Sequence, residues 1–173
     1  QDSTAPVAPQ APADVTLACA SEVPATISLT ATDNCAGEIT VEGVDTTVAG
    51  DCPNSFVITR TWLFVDACGN ETPLSQTITV DDTVPPTFVE ELPAASLTVE
   101  CDAIPAMATL TAIDNCGTAS VTEAVSTQQG DCPNNYVITR TWTATDECGN
   151  ETSHTQTITV QDTTNPEITL QAA

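Results

Sequence analysis

The sequence predicts an all-β fold built from two tandem modules stapled by disulfides. Three observations predict it. First, residues 51–70, DCPNSFVITRTWLFVDACGN, return as residues 131–150, DCPNNYVITRTWTATDECGN, at an offset of 80. A fixed period of this kind marks one structural unit used repeatedly. Second, Thr, Val and Ile alternate along most segments, the two-residue period of half-buried strands, and no stretch of useful length has helical spacing. Third, four cysteines fall in each copy: Cys19, Cys35, Cys52 and Cys68, then Cys101, Cys116, Cys132 and Cys148. Short strands with frequent turn signals predict an immunoglobulin-like β-sandwich in each copy.

The period places the copies at 1–81 and 82–162, with 163–173 opening a further repeat. The linkers QDSTAPV (1–7), DDTVPPT (81–87) and QDTTNPE (161–167) share Asp, then Ser or Thr, then Pro in nearly the same register. The chain therefore reads as two modules cut from a longer array. It carries no signal peptide, lipidation motif or membrane span, as an internal fragment would not.

Strands are predicted at Asp14–Cys19, Thr26–Thr32, Ile39–Val44, Phe56–Val65 and Ser75–Val80. In the second copy they fall at Leu97–Cys101, Ala108–Ile113, Ala119–Val125, Tyr136–Thr145 and Thr155–Val160. Pro, Gly, Asp and Asn punctuate the gaps. Along the longest strand Phe56, Ile58, Trp62 and Phe64 share a face, as do Tyr136, Ile138, Trp142 and Ala144, and this face is the expected core. Arg60 and Arg140 lie on it too. A ligand-binding arginine is one reading. The favoured one is an arginine that covers the Trp and pairs with a carboxylate, since both copies carry it.

The balance of 24 acidic residues against two arginines gives a net charge of −22. Such a chain has no affinity for nucleic acid, and an anionic membrane surface would repel it, so direct membrane insertion is not expected. Modules of about 80 residues bury a small core and often need staples. The cysteines have no C-x-x-C spacing and only one histidine for company, which favours disulfides over zinc and an oxidising compartment.

Strand direction constrains the pairing. In a sandwich with linkers at opposite poles, Cys19 and Cys52 share one pole, and Cys35 and Cys68 the other. A ten-residue strand spans roughly 33 Å, and a disulfide needs Cα atoms closer than roughly 7 Å. The expected pairs are Cys19–Cys52, Cys35–Cys68, Cys101–Cys132 and Cys116–Cys148.

Four motifs then stand out: A-T-D-N-C at Ala31–Cys35, C-P-N-x-[FY]-x-I-T-R-T-W at Cys52–Trp62, D-x-C-G-N at Asp66–Asn70 and Q-T-I-T-V-x-D-[ST]-x-x-P at Gln76–Pro85. The second copy repeats them at Ile113–Cys116, where Ile113 replaces Thr, and at Cys132–Trp142, Asp146–Asn150 and Gln156–Pro166. The pattern resembles the four-cysteine hyalin-repeat-like modules of very large Bacteroidota surface proteins, including the giant adhesins of gliding bacteria, and it covers essentially the whole chain. The resemblance implies an immunoglobulin-like fold, export to the bacterial cell surface, and a role in adhesion or surface filaments.

Two kinds of site are expected. Asp2, Asp33, Asp66 and Asn70 gather at the pole of the entering linker. Their counterparts are Asp82, Asp114, Asp146 and Asn150, with Asp81 beside them. Converging hard oxygen donors suit Ca²⁺, and the acidic linker resembles the calcium linkers of cadherin-type ectodomains. The competing reading is that these Asp and Asn residues form turns. The segments at Ser3, Thr46, Thr83 and Thr163 resemble the Asp-[Ser/Thr]-apolar O-glycosylation signal of the same bacteria. The two N-glycosylation sequons, at Asn70 and Asn150, are read as coincidental.

Catalysis finds no support: His154 has Leu74 as its counterpart, and no nucleophile stands beside a base. The expectation is a non-enzymatic spacer or stalk repeat of a surface adhesin or filament. Its partners would be neighbouring repeats, with lateral self-assembly as a further option. A module that itself binds glycans or another surface is the alternative. The segments that differ between copies, Gly43–Ala49 and Glu123–Gln129, are expected to be loops and contain no aromatic, which favours the spacer.

Overall fold

A computed structural model of the protein describes residues 2–168; the rest of the expected third-repeat start, 169–173, lies outside them. The chain divides into two compact units. The first comprises Gln1–Val84 with two short segments of the second repeat, Asn115–Gly117 and Glu147–Asn150. The second comprises Pro85–Asp114, Thr118–Asp146 and Glu151–Ala173.

The first unit holds β1 (Val15–Leu17), β2 (Ser28–Asp33), β3 (Gly37–Glu42), β4 (Val44–Ala49), β5 (Ser55–Val65) and β6 (Glu71–Asp81), with one 3-10 turn at Ala20–Glu22. Four strands form a sheet in the order β1-β6-β5-β4, and β2-β3 form a separate ribbon. β1 runs parallel to β6, in register Val15 to Ile78 and Leu17 to Val80. The alternation read from the sequence is the burial pattern of β5: Ile58, Arg60, Trp62 and Phe64 are buried while Val57, Thr59, Leu63 and Val65 are exposed. Trp62 and Phe64 pack with Ala31 of the ribbon, flanked by Leu29, Ile39, Val41 and Leu74. Ribbon on sheet makes a sandwich whose core stabilises by removing these aromatic and branched surfaces from water. The indole Nε1 of Trp62 donates to the Ile27 carbonyl at 2.9 Å, so the ring is buried without an orphaned donor.

The expected loop after Gly43 is a strand. β4 pairs antiparallel with β5 from Val44–Thr61 to Ala49–Phe56, and all six of its residues are exposed. An edge strand with no buried face lacks the apolar alternation by which strands are recognised. Gly43 marks the switch of the chain from ribbon to sheet. It is buried, and a Cβ there would meet the Trp62 ring at 3.0 Å.

The second unit holds β7 (Thr87–Phe88), β8 (Ser96–Glu100), β9 (Ala112–Ile113), β10 (Ala119–Gln129), β11 (Tyr136–Asp146) and β12 (Glu151–Gln161). Its sheet runs β10-β11-β12-β8, and β7-β9 form a two-stranded ribbon. Again the first long-sheet strand is parallel to the last, β8 to β12. Trp142, Ala144, Ile158 and Val160 are fully buried, and the Trp142 indole donates to the Ala108 carbonyl at 3.0 Å. Glu123–Gln129, expected as a loop, belongs to β10, and the strand expected over Ala108–Ile113 is only the two residues of β9. His154 is half-buried; its ring lies 6.0 Å from that of Trp142, and Nε2 sits 2.8 Å from the Pro93 carbonyl.

Candidate functional site

The expected polar grouping of the cysteines holds in the first unit, but the expected pairing does not. Cys19 follows β1, and Cys52 lies in the β4–β5 connection. Asn54 Oδ1 accepts the Ala20 amide at 2.9 Å, so both loops meet at one pole. Yet Cys19 is bonded to Cys116 and Cys52 to Cys148, with Cα separations of 4.9 and 5.0 Å. The pairs Cys19–Cys52 and Cys116–Cys148 are therefore replaced. Cys35–Cys68 and Cys101–Cys132 are not formed, and all four of these cysteines are exposed thiols. Strand direction within one copy orders the distances inside that copy and carries no information on the cysteines of the next. Asn54 stitches the same pole: its Nδ2 donates to the Cys116 carbonyl at 3.1 Å and its own carbonyl accepts the Asp82 amide at 3.0 Å. This leaves Asn54 buried. The Asn of the C-P-N motif is thus a working residue that the sequence reading passed over.

At the other pole of the first unit, Asp2, Asp33 and Asp66 each place a carboxylate oxygen within 4.8 Å of the others. Asp66 is buried and acts as a turn former. Its Oδ1 accepts the Cys68 and Asn70 amides, both at 2.8 Å, and its Oδ2 accepts Asn70 Nδ2 at 2.7 Å. Donation from the Asn70 side chain, then from the backbone amides around it, holds the Asp66 carboxyl below its ordinary value against the opposing effect of burial. Gly69 closes this turn at φ +87°, a conformation open to glycine at little cost. Asp33 Oδ1 accepts the Cys35 and Ala36 amides at 2.9 and 2.7 Å. Its Oδ2 is buried with no hydrogen-bond partner. A buried carboxylate oxygen without a donor is costly, and a cation shared with Asp2 and Asp66 would satisfy it. These oxygens fit a hard divalent ion. Asp2 also accepts from the Cys35 thiol; that bond, the Asp2 charge, partial desolvation, Asp33 and Cys68 together raise the thiol above its ordinary pKa.

Asp81 ends β6 on an exposed face opposite Ser55. Asp82 is buried and caps its own turn, Oδ1 accepting the Val84 amide at 3.1 Å. Asn150 Nδ2 donates to the Asp82 carbonyl at 3.0 Å, as Asn70 does to that of Asp2 at 3.5 Å. Asp114 directly follows β9, and Asp146 is the last residue of β11.

Arg60 meets the favoured expectation. Its side chain is 3% exposed and forms a two-pronged pair with Asp45, Nε to Oδ1 at 2.7 Å and Nη2 to Oδ2 at 2.9 Å. It also donates to the carbonyls of Ala25 and Pro24 at 3.0 and 2.8 Å. This pairing lowers the Asp45 pKa and raises that of Arg60. Arg140 makes the same carbonyl contacts, to Pro105 and Ala106. Its cross-strand neighbour is Val125 rather than an acid, and its side-chain partner is Gln156 at 3.4 Å. Both arginines tie the core sheet to a preceding segment. Ser3, Thr46, Thr83 and Thr163 are all exposed, and the Thr163 hydroxyl is taken up by Glu100. No helix among the described residues is long and apolar enough to cross a membrane.

No curated protein matches the chain. Among solved structures, it is similar to one titled "Crystal Structure of Protocadherin Gamma C5 EC1-3", at 11% identity over 90% of this chain and 68% of that one, with a TM-score of 0.31. A likeness that loose carries no argument here. The family model for the HYR-like domain with 4 cysteines matches twice, at residues 7–80 and 89–160. Those matches span the two sandwiches, the two Trp-centred cores and all eight cysteines, and by them the chain belongs to the HYR-like domains with 4 cysteines, in two tandem copies.

Proposed function

We propose that this chain is a structural spacer, a stalk repeat of a bacterial cell-surface adhesin or surface filament that supports adhesion or gliding. The family and the disulfides describe an extracellular repeat module of adhesion type. The observation that carries the finer reading is the uniformity of the copies. Trp, Arg and the cysteines recur in register, and both arginines bond backbone carbonyls of the fold rather than line an open site. The cleft bounded by Ala49, Phe56 and Val80 offers one aromatic, Phe56, and no cation, a poor platform for a sugar. The fragment is accordingly expected to give no selective signal on a glycan array; strong binding to a defined glycan would replace the spacer by a binding module.

The same reading takes Ca²⁺ as a stiffening ion at Asp2, Asp33 and Asp66. Bound to the folded state alone, calcium at a hundred times its dissociation constant adds about 2.7 kcal/mol. Millimolar calcium should therefore raise the melting temperature, chelator should reverse the rise, and Asp33→Asn should blunt it. Calorimetry with no heat of calcium binding, together with unchanged melting, would leave these residues as turn formers. O-linked sugar at Ser3, Thr46, Thr83 and Thr163 belongs to the same surface reading, and intact mass of the native protein measures it.

A further inference from the structure

The four unbonded cysteines are not a random remainder. By repeat register, Cys35 and Cys68 are the counterparts of the bonded Cys116 and Cys148, while Cys101 and Cys132 are the counterparts of the bonded Cys19 and Cys52. Each copy therefore carries one cysteine pair that bonds toward the following copy and one that bonds toward the preceding copy. In this chain one pair of each kind is used and one of each is a thiol.

One cysteine of each unused pair, Cys132 and Cys68, sits on a turn shaped like that of its used counterpart. In the Cys52 loop the Gly50 amide donates to the Ser55 carbonyl at 2.6 Å and the Ser55 amide to the Cys52 carbonyl at 3.0 Å. In the Cys132 loop the Gly130 amide donates to Asn135 at 2.7 Å and the Asn135 amide to Cys132 at 3.0 Å. The Cys68 and Cys148 turns close on glycines with φ of 87° and 86°. Asn134 is exposed, whereas its counterpart Asn54 is buried and bonded to the Cys116 backbone. The exposed asparagine repeats the stitching group without the partner segment.

We infer that the thiol pairs are head-to-tail docking sites for a second copy of the same module, with Cys101 bonding the Cys35 and Cys132 the Cys68 of the next copy. The staple thereby propagates along an array, and every junction carries two disulfides. This deepens the spacer reading and rests on its repeat organisation. Each bond forms by thiol–disulfide exchange with a disulfide oxidant such as oxidised glutathione. One cysteine thiolate attacks the oxidant and releases one glutathione thiol. The second cysteine thiolate attacks the resulting mixed disulfide and releases the other. Two protons and two electrons leave the cysteine pair, and one oxidised glutathione becomes two reduced ones.

Two variants of the full chain test it. Cys101→Ser/Cys132→Ser keeps only the Cys35–Cys68 end, and Cys35→Ser/Cys68→Ser keeps only the Cys101–Cys132 end. They are incubated with oxidised glutathione at on the order of 1 mM chain, the effective concentration that a short linker gives neighbouring repeats. The expected result is that each variant alone stays monomeric, the mixture stops at a covalent dimer, and wild type runs as a ladder. Peptide mapping of the dimer should recover Cys35–Cys101 and Cys68–Cys132. A mixture that stays monomeric, whether its thiols persist or close as Cys35–Cys68 and Cys101–Cys132, overturns the inference. So does a dimer with any other pairing. Those failures leave the glycan-array result untouched, so the spacer reading stands or falls separately.

Discussion

A cut in the exposed segment at Glu90 or Glu91 leaves the oxidised protein in one covalent piece. Limited digestion with a glutamate-specific protease should yield fragments that co-migrate until reductant is added, because Cys19–Cys116 and Cys52–Cys148 both span that cut. Had the cysteines paired inside each copy, the two halves would part without reductant. The same bridges dominate stability. In the chain-entropy account, closing a loop of 97 residues removes about 4–5 kcal/mol of unfolded-state freedom. Once one bridge is present the other still closes a ring of about 65 residues, so the second adds nearly as much. Cys19→Ser with Cys116→Ser should therefore cost about 4 kcal/mol, a fall in melting temperature of about 10 °C for a chain of this size. Unchanged melting, or recovery of a Cys19–Cys52 peptide from wild type, would contradict the pairing.

Arg60→Ala is the second large effect, with an expected loss of about 3 kcal/mol. The guanidinium satisfies two backbone carbonyls and one carboxylate at once, and alanine strands all three while opening a void beside Trp62. Asp45→Asn should cost about 1 kcal/mol, since its side chain is 28% exposed and water can replace the pair in part. The difference between these variants and wild type has a pH sign. The Asp45 pKa is lowered on folding. Its contribution is present above the unfolded value, about 3.9, and is lost as pH falls through the folded value. Acid melts of wild type and Asp45→Asn should converge below that range. If Arg60→Ala melts within 2 °C of wild type, well short of the roughly 6–12 °C that a loss of about 3 kcal/mol implies for a chain of this size, the arginine is dispensable to the fold.

Much of this architecture was legible in the sequence because alternation, register and turn chemistry are local. The buried face of β5 could be read from Ile58 to Phe64, and the polar grouping of the cysteines from strand direction. β4 could not, because Val44–Ala49 buries nothing and so leaves no alternation to detect. The disulfide partners could not either, because a partner some 97 residues away leaves no local trace. Asn54 was missed for the same reason. A buried asparagine that bonds Ala20 and Cys116 through its side chain and Asp82 through its backbone carbonyl has no periodicity, and only the tertiary structure brings its partners together.

The parallel pairing of first and last sheet strands has a mechanical consequence. β1 lies beside β6 over three rungs, and β8 beside β12 over five. Parallel neighbours point their outer chain ends in opposite directions. In the oxidised chain Cys19–Cys116 carries tension past residues 20–115; with both bridges reduced, tension applied through the chain ends along the strands slides one strand past the other and loads every rung of the ladder together. Hydrogen bonds stressed in that shearing mode must break in concert, whereas a hairpin pulled at its open end unzips one bond at a time. The parallel ladders thus come under tension only after the bridges are reduced.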